Sequence, residues 1–195
     1  MMENMRLVDQ VKVKVECKPK YNTQAEEING FLKLQPNKAG EVAQRKIFVA
    51  TNKEEDATVF FRYTTLQPKD TGYYYVVKGS EDDDGTVLYM DEETTSGIVY
   101  ANRSSLNDEF TAQKTIHSWK ITESTKHKTS RLSAFLTGHS PDLFNEALAV
   151  ARKDQLAISK QNGGKEIFCN SKRSRDGLVV EIITINVNNK ELENA

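Results

Sequence analysis

Val11, Val13, Val15 and Cys17 alternate with Lys12, Lys14 and Glu16. A period of two sends one set of side chains to a buried face and the other to water, so this segment reads as a half-buried β-strand. Similar segments recur. Lys46–Thr51 (KIFVAT) and Ala57–Leu66 (ATVFFRYTTL) are rich in β-branched and aromatic residues, and Ile28, Leu32 and Leu34 surround Phe31. Ile98–Ala101, Thr115–Thr122 (TIHSWKIT), Leu132–Leu136 and Glu166–Asn170 read as extended, and Leu178–Val187 (LVVEIITINV) is the strongest strand signal. Asp176-Gly177 marks a bend that would fold the last two of these into a hairpin. Roughly ten short strands imply a mainly β chain, an antiparallel β-sandwich or barrel-like domain. One short helix is expected near 141–153: Ser140 suits the N-cap, Pro141 the first turn, and Leu143, Ala147, Leu148 and Ala151 form an apolar stripe.

A chain of 195 residues can bury a sizeable core. The expected organisation is one domain over 6–188 with a polar tail at 189–195; the alternative is a division near 92–97 (EETTSG). Hydrophobic residues at 37% set the chain apart from disordered ones, and a formal net charge of -1 argues against nonspecific binding to polyanions. Apolar runs are far shorter than a bilayer span, and the start carries no secretory apolar region, so no membrane association is expected. Cys17 and Cys169 show neither CxxC spacing nor a disulfide framework; they read as reduced thiols in a cytoplasmic setting.

Gly72–Asp91 (GYYYVVKGSEDDDGTVLYMD) admits two readings. Counted from Ser80, an EF-hand register places Asp82, Asp84 and Asp91 at ligand positions and Gly85 at the sharp turn. Calcium ligation there would need flanking helices, whereas TGYYYVVKG is aromatic and β-branched. The favoured reading is two strands, Tyr73–Lys78 and Thr86–Met90, joined by an acidic turn without an ion; no cofactor is expected.

Catalytic signatures are missing from the sequence: no GxSxG elbow, HExxH pair, phosphate-binding glycine loop or zinc cysteine cluster. His117, His127 and His139 share no metal-ligand spacing. Cys169 beside a histidine would be a nucleophile, but its segment EIFCN reads as packing, which leaves a Cys-dependent hydrolase as the third reading. Lys172, Arg173 and Arg175 form a basic turn able to grip phosphates, and with exposed tyrosines they support a nucleic-acid-binding β protein as the second. Alternation sends Tyr73 and Tyr75 to one face and Tyr74 to the other.

Leu66, Asp70, Gly72 and Tyr74, in TTLQPKDTGYYY, resemble the corner before strand F of immunoglobulin-superfamily variable-type domains. Phe31–Pro36 is similar to that family's strand C, with Phe31 where its core tryptophan stands, and Cys17 lies where a strand B cysteine stands. Val76 takes the place of the second cysteine, so the resemblance implies a sandwich without the inter-sheet disulfide. It covers at most the first ninety or so residues and implies a recognition module that binds through loops or a sheet face, with no catalytic residue. The leading expectation is therefore a non-enzymatic protein that contacts a protein partner or self-associates, through Tyr73, Tyr75, Asp82, Asp83 and Asp84.

Overall fold

The alternating segment at Val11–Cys17 is the inner half of a longer strand, β1 (Met5–Cys17), in the computed structural model. The structure describes residues 5–18, 27–36, 46–65, 72–79, 86–91, 99–103, 115–116, 118–124, 129–135, 146–150, 167–171 and 177–185. Strands dominate them: β2 (Ile28–Pro36), β3 (Lys46–Thr51), β4 (Phe60–Thr65), β5 (Tyr74–Val77), β6 (Thr86–Asp91), β7 (Val99–Arg103) and β8 (Thr115–Ile116). β9 (Ser118–Ser124), β10 (Thr129–Phe135), β11 (Glu146–Val150), β12 (Ile167–Ser171) and β13 (Val179–Thr184) follow. A 3₁₀ turn, Glu54–Asp56, is the one helical element among the described residues.

Two antiparallel meanders, β1-β2-β3 and β4-β5-β6-β7, are joined along β3–β7 and along β1–β4, with β13 outside β1 and β8 on β6. Val11 has partners on both edges, Phe60 and Thr184, while Lys14 pairs with Phe31 and Glu181. β2 and β4 therefore share one edge of β1, each along its own half. The sheet folds over along β1, and the pairings run from β1 through β2, β3, β7, β6, β5 and β4 back to β1. A second, four-stranded sheet runs β12-β11-β10-β9, and reciprocal backbone bonds between Tyr73 and Trp119 (2.7 and 2.9 Å) tie it to the first.

Period-two alternation decides what is buried. Val11, Val13 and Val15 stand opposite Thr184, Ile182 and Val180 on the inner face, which also takes Leu32, Phe48, Phe60, Tyr75 and Leu88. Trp119 and Leu132, from the second sheet, belong to the same core cluster. Gly30 is required by close approach: a Cβ there would overlap the carbonyl oxygen of Thr51 on β3.

Two expectations are corrected. The part of the expected 141–153 helix that the structure describes, Glu146–Val150, is strand β11, paired residue by residue with β12. Five residues of EALAV satisfy either period, and ladder bonds to β12 outweigh the helix preference of alanine and leucine. The two last strands also form no hairpin: β12 joins β11, while β13 crosses to β1. β13 offers Val180 and Ile182 at the spacing that continues the buried row of Val15 and Val13, so face matching wins over adjacency in sequence.

Candidate recognition surface

The inner face ends in a polar cluster. Asp9, Arg62 and Tyr75 lie in one cross-strand row over β1, β4 and β5, on the same face as Val11 and Phe60. Arg62 donates from Nε to Asp9 Oδ1 (2.8 Å) and from Nη2 to Asp9 Oδ2 (2.7 Å), a bidentate pair whose side chains are only 16% and 17% exposed. The Arg62 guanidinium also lies 4.5 Å from the centroid of the Tyr73 ring, and the Thr184 hydroxyl is 3.4 Å from Asp9 Oδ2. Burial pulls the Arg62 pKa down, but the hydrogen bond to Asp9, with the attraction of Tyr75 and Asp9, outweighs it and the net shift is upward. Both carboxylate oxygens of Asp9, and Nε and Nη2 of Arg62, are thus engaged within the fold.

Tyr75 is fully buried, and its hydroxyl makes no hydrogen bond of acceptable geometry. Desolvation pushes its pKa up to about 12, although the nearby Arg62 charge pulls the other way. The unfolded chain releases this proton near pH 10, whereas the folded protein holds it to about 12. The associated stability is complete below pH 10 and declines by about 1.4 kcal/mol per pH unit from there until the folded protein too releases the proton, near pH 12. Tyr75→Phe should flatten that decline and leave stability at pH 7 nearly unchanged, because the lost hydroxyl satisfied no partner. Urea titrations of both proteins between pH 9 and 12 check this; parallel losses would assign the decline to other groups.

The opposite face of the same strands is apolar as well. Val76 and Val87 are buried there, with Met5, Phe61, Tyr63 and Tyr74 half-buried against them. Phe61 and Tyr63 meet edge-on with ring centroids 6.4 Å apart, and Tyr63 stands opposite both Leu7 and Tyr74. Burial raises the pKa of Tyr74. A β-bulge between Leu7 and Asp9 leaves Leu7 38% and Val8 40% exposed, the large hydrophobic side chains most open to solvent among the described residues. Aromatic and aliphatic groups thus line the outer face of β1, β4 and β5.

Of the expected contact residues, Tyr75 is placed in the core and has no surface to offer, and half-buried Tyr73 packs against that core under Arg62. The alternation was legible, but the buried side is that of Tyr73 and Tyr75. Asp82, Asp83 and Asp84 lie outside the described residues, as do Lys172, Arg173, Arg175 and the three histidines. The arms of the acidic turn are strands, paired at Val76–Val87, so the helices an EF-hand needs are not there; Asp91 ends β6 opposite Thr115. Cys169 sits in β12 opposite Leu148. Leu66 and Asp70 of the immunoglobulin-like corner also fall outside the described residues. Among the described residues no group of His, Cys, Asp and Glu is arranged to hold a metal ion, and no helix is long and apolar enough to cross a membrane.

Comparisons with protein-family models, with curated proteins and with solved structures found no match to this chain.

Proposed function

We propose that this chain is a non-enzymatic recognition or assembly protein that contacts a protein partner through the outer face of β1, β4 and β5. The observation that carries the reading is the strip of Met5, Phe61, Tyr63 and Tyr74 on the face opposite the main core. The strip is only partly buried around the fully buried Val76 and Val87, with Leu7 exposed to solvent beside it. Fully buried side chains need no partner, but aromatic side chains left only partly covered at the margin of a sheet face, next to an exposed leucine, are the composition of an interface. Tyrosine adds large contact area at small entropic cost. A disulfide-free sandwich binding through loops or a sheet face is what the resemblance at Leu66–Tyr74 implies, and the second of these agrees with this reading.

Selection of phage-displayed random peptides on the immobilised full chain tests the reading. Enriched peptides should lose at least about tenfold in affinity for Leu7→Asp, which places a charge on the strip at an exposed position. Enrichment of peptides indifferent to that change, or of none, would overturn it.

A further inference from the structure

The outer face continues past the aromatic strip into a cationic one. Gln10, opposite Phe61, accepts a hydrogen bond from Lys78 Nζ (3.0 Å). Two and four residues on, the same face of β1 carries Lys12 and Lys14, and Lys14 stands opposite Phe31. Lys33 follows Phe31 on the same face of β2, where the register would set it against Lys12. Lys12, Lys14 and Lys33 are half-buried and Lys78 is exposed.

Among the described residues none of these four lysines forms an ion pair within 4.0 Å. Lys12 Nζ donates to the backbone oxygen of Glu54 (3.1 Å), in the acidic turn Glu54–Asp56, and Lys78 to the Gln10 amide. Both acceptors are neutral, so neither ammonium is held by a carboxylate at ion-pair distance among the described residues. Like charges gathered on neighbouring strands oppose sheet formation. A partner carrying carboxylates relieves that opposition.

We propose that the partner is an acidic protein segment. Its apolar side chains seat on Leu7, Phe61, Tyr63 and Tyr74, and its carboxylates meet Lys12, Lys14, Lys33 and Lys78. The proposal rests on the recognition reading above and adds the chemistry of the partner. A nucleic-acid strand fits this face less well. Glu181 stands opposite Lys14 and Glu16 lies two residues further on, which interrupts the continuous positive track a phosphate backbone follows.

Fluorescence anisotropy on the full chain tests it with three labelled probes: a Glu-rich synthetic peptide with interspersed Leu and Phe, its Gln-for-Glu counterpart, and oligothymidylate. The Glu peptide should bind about tenfold or more tightly than the Gln peptide at low salt, and added salt should narrow the gap. Lys12→Gln with Lys14→Gln and Lys33→Gln should abolish the preference, and Lys14→Gln alone should reduce it. Circular dichroism confirms that each variant is folded. Equal binding of both peptides, lost together in Leu7→Asp, would keep the recognition surface and overturn its acidic partner. No binding of either peptide would overturn both, and tighter binding of oligothymidylate would replace the protein segment with a nucleic acid.

Discussion

Replacing Trp119 with alanine is expected to lower the free energy of unfolding by about 4 kcal/mol, the range for emptying a buried aromatic site. Trp119 is fully buried and belongs to the cluster that also holds Val11, Phe48 and Tyr75. Its indole N–H donates to the carbonyl oxygen of Leu88 (3.1 Å), so truncation both opens a cavity and strips a buried acceptor of its donor. The same residue makes both backbone bonds to Tyr73 that tie the four-stranded sheet to the nine-stranded one. Loss should therefore be uneven: amides of β9 and β10 should exchange faster by a larger factor than those of β1 and β2. Trp119 is the sole tryptophan, so unfolding must be followed by far-ultraviolet circular dichroism and not by indole emission. Trp119→Phe, which keeps most of the bulk and loses the hydrogen bond, should cost about 1–2 kcal/mol. A loss below about 1 kcal/mol for the alanine variant, or uniform acceleration of exchange, would refute the role as a joint between sheets.

Much of this architecture was legible because strands announce themselves by alternation and β-branched content. Lys46–Thr51 is β3 to the residue, and Val11–Cys17 shows its buried row directly. Pairing was harder, since which strand lies beside which depends on faces far apart in sequence. β13 ends on β1, some 170 residues earlier, because the two share a buried row. Glu146–Val150 was unreadable for a different reason: five residues fit either period, and only the β12 ladder decides. At Tyr73–Tyr75 the parity was legible but not the side, because tyrosine serves core and surface equally. Half of the Asp9–Arg62 pair is visible in the sequence. Phe60–Thr65 (FFRYTT) places one arginine in an apolar strand at the parity of Phe60, which points the charge inward and demands a partner. That partner, Asp9, lies on another strand, where spacing gives no hint of it.

The second large effect is expected at that pair. Arg62→Met leaves Asp9 largely buried without its bidentate donor, and Asp9→Leu leaves a guanidinium stranded above Tyr73; each should cost about 3 kcal/mol. The double variant should be more stable than either single, because a well-packed apolar pair replaces two desolvated charges together. Urea unfolding of the four proteins closes the cycle, and simple addition of the two losses would mean that the pair is not coupled. The pair also fixes register. Asp9 stands opposite Arg62 immediately after the bulge at Leu7–Asp9, and a slip of one residue would turn Asp9 outward and Leu7 inward. Since Leu7 then leaves its place opposite Tyr63, the apolar strip proposed for recognition depends on a charge pair on the other side of the sheet. Hydrogen exchange at residues 5–9 should therefore accelerate in both single variants and return toward the original rate in the double variant only if packing alone can hold the register. A double variant that regains stability while those amides stay fast would assign register to the charges and stability to the packing.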